Sequence, residues 1–465
     1  MERARLRGIA LTVAAAMFVS NLDSTLIVTS LPQIAAAFGL RGVDLSAAIS
    51  GYVLASAALL PLSAWLADRH GARNIFVLSL VLFTLSSAGC ALAQNYPQFL
   101  GARLLQGASG ALMVPVGRTV VLQRHEGRAL MDAMALITWP GLMAPVVAPL
   151  LGGVITTYST WRWNFLLNVP LGIVAVWAAL RLMPRAESLH RRPLDIPGMV
   201  YLTLGLGGLL YAMELFAAGG AQLRLALAVL AGGGAALLLG MRHLRHTAHP
   251  LLDLSAYRVT TFWLTNGSVA LVFRATIAAT PFLLPLLLQL AHGLNALQAG
   301  SYVMAYFFGN LAMKSVTTPT LRRLGFRTVL IWNGVLSGVT TAGLGYIDPH
   351  HGRIVALVVL FVAGMARSMQ FTSMNTLGFT DLSARQRSAG STLHSILQSI
   401  STALGVGAAA ILLQRIASLR GAEQTGLTDF RLTFAVLGVA AVIAALCYQR
   451  LERDAGAQVS GHQPG

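Results

Sequence analysis

Residues 66–78 read LADRHGARNIFVL, a short charged turn with one glycine near its centre, set between two long apolar runs. A second version occurs far down the chain as TLRRLGFRTVL, residues 320–330. With Gly71 laid on Gly325, Arg73 falls on Arg327 and Arg69 on Arg323. At nearly the same offset, LPQIAAAFGL (31–40) lies over LPLLLQLAHGL (284–294). Each copy therefore carries a Leu-Pro pair at the end of an apolar run, followed by a glycine turn. The alternative is chance similarity between two amphipathic loops, and the matching order of the flanking runs favours a repeat.

Outward from these loops the chain is apolar almost throughout. Of its 465 residues 55% are hydrophobic and only 11% are charged, and the mean hydropathy is +0.68. A soluble domain of this size carries about a quarter charged residues. Apolar runs recur near the roughly 20 residues that cross a bilayer as helix. The expected spans are 8–31, 45–67, 74–93, 98–122, 131–156, 164–184, 195–217, 222–241, 260–290, 296–318, 327–346, 353–376, 388–414 and 429–449, fourteen in all. The first run is too long, and too well continued by others, for a cleaved signal peptide. Cys90 and Cys447 stand alone in different runs and read as packing residues, with no disulfide framework.

The formal charge of +17 is scattered through short loops rather than gathered in a stripe, which argues against nucleic acid as a partner. With the amino terminus inside, cytoplasmic segments hold 21 arginines and external segments 7, the bias expected of a multi-pass protein of the bacterial inner membrane with both termini cytoplasmic. Spans 1–2 and 9–10 then share one direction, so the repeat is parallel. It predicts an all-α polytopic protein of two six-helix bundles related by an axis along the membrane normal, with two helices inserted between them. The expected divisions are an N-terminal bundle (1–190), a two-helix insertion (191–250), a C-terminal bundle (251–450) and a short cytoplasmic tail (451–465).

The 66–78 loop, with its DRxG core, resembles the signature between spans 2 and 3 of the major facilitator superfamily, with Ala64 in place of the first glycine and Ala72 at one basic position. Further segments resemble the fourteen-span drug:proton antiporter group of that superfamily. NLDSTLIVTSLP (21–32) is similar to its opening motif, and RLLQGASGALMVPVGR (103–118) to its span 4 arginine motif. WPGLMAPVVAPLLGG (139–153), followed by STWRWNFLLNVPLG (159–172), is similar to its span 5 antiporter motif and the entry to span 6. LDIPGMVYL and HPLLDLSAYR bracket the insertion, and RSMQFTSMNTLGFTDLSARQRSAGSTLHSILQ (367–398) resembles a branch of multidrug exporters. The resemblance implies the major facilitator fold, proton-coupled antiport, a coupling role for the span 4 arginine, Arg103, and an antiport role for span 5.

On physical grounds the residue that demands a reason is Asp23, the clearest carboxylate in the middle of a span, since ionised groups in hydrocarbon are expensive. At 1.5 Å per residue, Asp23 lies about 22 Å and Arg103 about 28 Å from the cytoplasmic edge, both in the outer half of one bundle. They are expected to communicate directly or through water. The competing readings are a carboxylate that only ties helices together and an arginine that snorkels outward. A carboxylate can alternate between neutral and charged, because a nearby arginine lowers its pKa and desolvation raises it. The gating residues are expected to be Asp68, Arg69, Gly71 and Arg73, with the alternative that these charges merely hold the loop out of the bilayer.

In span 5, Gly141, Pro145, Pro149 and Gly153 recur every fourth residue, with Gly152 beside the last, giving one smooth and bendable face. Ala148 stands where the family's motif has a glycine before its second proline. The candidate cavity residues are Asn21, Tyr52, Gln106, Trp139, Arg274, Tyr302, Tyr306, Arg367 and His394. Aromatic residues in spans also serve as packing or interface anchors. Arg274 and Arg367 could line the cavity or neutralise Asp23, while Lys314, the only lysine, could sit in a span or at its cytoplasmic end. His243, His246 and His249 lie in a basic loop without cysteines, so no metal site is expected. No GxxxxGK[ST] loop is present, which leaves a proton gradient rather than nucleotide or any cofactor as the energy source. The sequence reads as a monomeric proton-driven exporter of small amphipathic compounds. Its rivals are a dedicated exporter of a metabolite or siderophore, a membrane sensor and a membrane enzyme, the last without a convergent nucleophile.

Overall fold

Lipid offers no hydrogen bonds, so each spanning segment must satisfy its own backbone, and the apolar runs fold as helices. The structure, a computed structural model, describes residues 2–124, 127–184, 193–218, 222–247, 250–421 and 425–462. The expected boundary at 190/191, with Arg185, Arg191, Arg192 and His249, lies outside them, as do the side chains of Ala64, Arg124, Arg128, Asp132, Glu214 and Arg385.

The first compact unit comprises residues 1–212 and 224–251. It contains α1 (Glu2–Thr29), α2 (Leu31–Phe38), α3 (Ser46–His70), α4 (Ala72–Leu92), α5 (Tyr96–Arg124), α6 (Gly127–Tyr158), α7 (Trp163–Leu166), α8 (Asn168–Leu182), most of α9 (Ile196–Ala218) and α10 (Leu223–His246). The second, residues 213–223 and 252–465, contains α11 (Thr260–Asn266), α12 (Ser268–Leu286), α13 (Ala296–Ala312), α14 (Lys314–Leu344), α15 (Arg353–Thr380), α16 (Ala384–Leu419), α17 (Leu427–Leu446) and α18 (Ala457–Ser460). No strand occurs among the described residues. Among the described residues, twelve helical stretches are long and apolar enough to cross a membrane. The other two expected spans fall on α13, which has 17 residues, and on the part of α14 beyond Gly325, where the helix breaks at φ 73° and ψ 163°.

Packing inside each unit follows one scheme. In the first, α1 runs along α6, α5 along α3 and α4, and α8 along α4 and α1. In the second, α12 runs along α16, α15 along α13 and α14, and α17 along α14 and α12. The correspondence extends to close crossings. A Cβ on Gly107 of α5 would meet the carbonyl of Tyr52 on α3, and one on Gly364 of α15 would meet the carbonyl of Tyr306 on α13. Likewise Gly152 of α6 sits on the carbonyl of Leu26, and Gly405 of α16 on that of Ala275. Small residues let the backbones approach where no hydrophobic force draws helices together.

The outward surfaces are apolar, with Leu85, Leu92, Trp177 and Ile354 exposed, while Ser79, Ser87, Gln106 and Gln370 are buried. That inversion of the soluble pattern is what a hydrocarbon solvent selects. At the α9–α10 hairpin, the Asp195 carboxylate accepts from the amides of Gly198 and Leu251 and pairs with His243 at 2.7 Å. Burial alone would raise this carboxyl; the two amides and His243 outweigh it and hold it below its ordinary range.

The two charged glycine turns, at 66–78 and 320–330, have matching backbones. Gly71 has φ 87° and Gly325 φ 73°, both in the region that penalises a side chain. Arg73 donates to the carbonyl of Leu180 at 2.7 Å, and Arg327 to that of Gln449 at 3.0 Å. Arg73 thus ties its turn to the end of α8, and Arg327 ties its turn to the segment just after α17. Gly71→Ala and Gly325→Ala are each expected to cost about 1–2 kcal/mol from the forced positive φ. Both should lower the melting temperature of the detergent-solubilised protein. Gly101→Ala and Gly343→Ala, where a Cβ meets nothing within 4 Å, should leave it unchanged. Equal melting temperatures for all four variants would refute the backbone requirement.

Candidate functional site

The first unit gathers its buried polar groups around Asp23. The run AAAMFVSNLDSTL is apolar enough to stay helical across the bilayer, and it carries the carboxylate to the centre of the unit, where it is 1% exposed. On α5, Arg103 and Gln106 are three residues apart and so share one face of that helix. Arg103 Nη1 donates to Asp23 Oδ2 at 2.7 Å and also to Gln106 Oε1. Gln106 Nε2 in turn donates to Asp23 Oδ1 at 3.0 Å and to Ser87 Oγ of α4 at 2.7 Å. Asn168, at the start of α8, donates to Asp23 Oδ1 at 2.6 Å. Four helices, α1, α4, α5 and α8, therefore meet in one hydrogen-bonded cluster around this carboxylate. The Arg103 guanidinium lies over the Tyr52 ring of α3 at 4.4 Å, which brings in a fifth. Arg103 is itself 1% exposed, so it does not snorkel to the surface.

Burial without pairing would be prohibitive for either charge, and removing one partner would strand the other. The two ions, with donors from Gln106 and Asn168, form a closed neutral cluster. Arg103 Nε and Asn168 Oδ1 stay buried without a partner. Protonating Asp23 would convert a strong acceptor into a weaker one and leave a buried guanidinium uncompensated. The balance of the cluster therefore depends on the charge carried by Asp23.

Of the expected residues, Asp23, Arg103, Gln106 and Tyr52 come together here. Asn21 turns back to the carbonyl of Met17 at 2.8 Å. The span 5 motif packs against α1: a Cβ on Gly141 would stand 3.6 Å from Asn21 Nδ2, and one on Gly152 would meet Thr29 and the Leu26 carbonyl. Ala144 and Ala148 of the same face are fully buried with Leu22 and Leu26 of α1, while Pro140, Pro145 and Pro149 lie within the helix. Trp139 is exposed. At the 66–78 loop Arg69 stacks on Trp65 at 5.0 Å, and Asp68 is exposed, with no ion pair to it among the described residues. Asn168, Ser87 and Cys90 belong to the cluster but were not expected there. Cys90 Sγ lies 3.8 Å from Gln106 Oε1.

In the second unit, Arg274 of α12 is 4% exposed and donates to the Thr265 carbonyl at 3.3 Å and to Asn375 Oδ1 at 3.0 Å. The Thr265 carbonyl is available because the first helix of the unit breaks at Gly267, where ψ is −166°. His394 of α16 meets Asn266 Oδ1 at 2.6 Å. Arg367 lies over the rings of Tyr306 and Phe307, and Tyr302 donates to the carbonyl of Pro349 at 3.4 Å. Among the described residues no group of three or more His, Cys, Asp or Glu is arranged to hold a metal.

Residues 13–406 match the family model described as Major Facilitator Superfamily. A protein of Pectobacterium carotovorum subsp. carotovorum (strain PC1), named "Putative multidrug resistance protein MdtD", is 34% identical over 458 residues, covering 98% of this chain and 97% of the relative. Proteins of the same name from Klebsiella pneumoniae (strain 342) and Escherichia coli O17:K52:H18 are 36% and 35% identical, covering 96% and 95% of this chain and 94% of each relative. Among solved structures, an auto-inhibited peptide transporter of the POT family superposes with a TM-score of 0.70 at 15% identity, covering 99% of both chains. A D-xylose–proton symporter superposes with a TM-score of 0.66 at 13% identity, covering 95% of this chain and 97% of the other. These two likenesses speak to the fold alone. The internal packing of the two helical units and the match along nearly the whole sequence lead to one conclusion: the chain belongs to the major facilitator superfamily of membrane transporters.

Proposed function

We propose that the protein is a proton-coupled exporter of small amphipathic compounds, working by alternating access. It would act as a monomer in the bacterial inner membrane, with both termini in the cytoplasm. The observation that carries this reading is the buried Asp23–Arg103 pair with its donors Gln106 and Asn168. The relatives named for multidrug resistance support the substrate class.

In this reading a proton from outside reaches Asp23 and breaks its bond to Arg103. Gln106 and Asn168 keep hold of the neutral acid while the guanidinium seeks a new partner. Loss of that proton to the cytoplasm restores the pair as substrate binds. Each proton moved inward contributes about 2.3 kcal/mol per 100 mV of membrane potential, the source of uphill extrusion. The glycine and proline face of α6, seated on the helix that carries Asp23, gives the surface along which α1 adjusts as its carboxylate changes charge.

Substrate-induced proton release from proteoliposomes tests the coupling. Asp23→Asn, which keeps the shape and loses the titration, is expected to abolish proton release and accumulation against a gradient while sparing downhill exchange. Normal uphill export by this variant would sink the assignment. Arg103→Ala, which leaves Asp23 buried and unpaired, should fail in both assays.

Asn168→Leu removes one hydrogen bond to a charged group, worth about 1.5–3 kcal/mol. Proton release should fall at least tenfold, with downhill exchange within about twofold of the parent, since about 1.4 kcal/mol is a tenfold effect. Unaltered coupling in Asn168→Leu would remove Asn168 from the switch.

A further inference from the structure

The second unit carries cations in its spans that have no carboxylate partner among the described residues. On α15, Arg367, Phe371 and Asn375 recur every fourth residue, and Thr372 lies beside them, so they form one stripe about 12 Å long at 1.5 Å per residue. Three cations attach to that stripe. Arg367 belongs to it, the Arg274 guanidinium lies over the Phe371 ring at 5.3 Å and bonds Asn375, and Lys314 Nζ donates to Thr372 Oγ1 at 2.7 Å. None of the three has a carboxylate partner among the described residues.

Arg274 is the most constrained. It is 4% exposed, yet its Nε and Nη1 are buried without any acceptor, as is Nε of Arg367. Arginine keeps its charge at any accessible pH, so deprotonation offers no escape. Arg367, Phe371, Thr372 and Asn375 are half-buried and Lys314 is exposed. Charges within spans avoid lipid, so the stripe is expected to face water rather than hydrocarbon. Aromatic rings at Phe371, Tyr306 and Phe307 lie directly under the guanidinium groups. The helix break at Gly267 lies less than two turns before Arg274, and discontinuous helices in transporters supply ends that face anionic groups.

We propose that the stripe formed by Arg274, Lys314, Arg367, Phe371 and Asn375 is the substrate's anion subsite. The exported compound would present a carboxylate, sulfonate or phosphate to these cations and an apolar body to the rings. The guanidinium forks pair with two oxygens of such a group, which a point charge does less well. This inference rests on the export reading and narrows it from amphipathic compounds in general to anionic ones.

Lys314 is the only lysine, so its amine is a reporter that needs no gradient. Full-length protein in detergent would be acylated with a neutral N-hydroxysuccinimide ester, and Lys314 modification followed by peptide mass spectrometry. The probes are 1-naphthoate, 1-naphthalenesulfonate, 1-naphthyl phosphate and the matched cation (1-naphthylmethyl)trimethylammonium. At least one anion is expected to slow modification fivefold or more, and the cation not at all. Arg367→Gln should remove that protection and Arg367→Lys restore part of it. Arg274→Lys, which keeps the charge and loses the fork, should weaken it severalfold.

Equal protection by the cation, or protection by none of the anions, would overturn the proposal. So would full protection in Arg367→Gln. The same probes in proteoliposomes separate this inference from the export reading. Proton release triggered only by the cation sinks the anion subsite and leaves antiport standing. Anion protection without proton release leaves the subsite standing and sinks antiport.

Discussion

The ion pair between Asp23 and Arg103 sets the terms for the first unit. Two charges removed from water recover their desolvation only when the contact is short and the remaining lone pairs and protons are used. Asp23 meets that demand with three donor groups from two other helices, α5 and α8, and those helices must stay in register with α1 for the bonds to form. The close crossing of Gly107 on the Tyr52 carbonyl serves the same end. A side chain at Gly107 would push α3 and α5 apart, and Arg103 would lose the ring beneath it. Polar chemistry and small-residue packing are in this sense one design. A transmembrane bundle lacks the hydrophobic drive that holds a soluble core together, so such contacts take a larger share of the work.

The two units share a scaffold and differ in charge. Gly71 and Gly325 hold equivalent turns, Arg73 and Arg327 equivalent carbonyl ties, and Tyr52 and Tyr306 equivalent crossings, each with an arginine over the ring. In the first unit that arginine meets a carboxylate on the neighbouring helix. In the second, no carboxylate is found at Arg274, Lys314 or Arg367 among the described residues. The two units thus share their packing and differ in their electrostatics. That division suits a transporter in which one half handles the proton and the other the cargo, as we propose here. A symmetric pair of ion pairs would neutralise both halves and leave no fixed charge to recognise a ligand.

The sequence disclosed those features that break an apolar background. The charged turns with their glycines stand out by composition, and their duplication revealed the two-bundle fold. Asp23 and Arg103 are conspicuous because ionised groups in spans are rare, and the structure joins them directly. Asn168, Ser87 and Cys90 were not legible, because uncharged polar residues occur throughout transmembrane helices and mostly bond back to their own helix. Ser86 does so with the Phe83 carbonyl, and nothing in the sequence separates it from its neighbour Ser87. The break at Gly267 was equally silent. Gly267 and Gly101 both interrupt apolar helical runs, yet one ends a helix and the other lies within it.

That break helps to explain why Arg274 can be buried at all. A continuous helix would have engaged the Thr265 carbonyl in its own ladder, and Arg274 Nη2 would have lost one of its two acceptors. The interruption releases a carbonyl where the guanidinium can use it, and Asn375 supplies the second acceptor from α15. Even so, the arrangement satisfies only one of the three guanidinium nitrogens. A site evolved for stability alone would fill the remaining positions with a carboxylate, as the first unit does around Arg103. Keeping the cation while withholding its counter-charge is costly in the resting state, and that cost is recovered only when something anionic arrives from outside the chain.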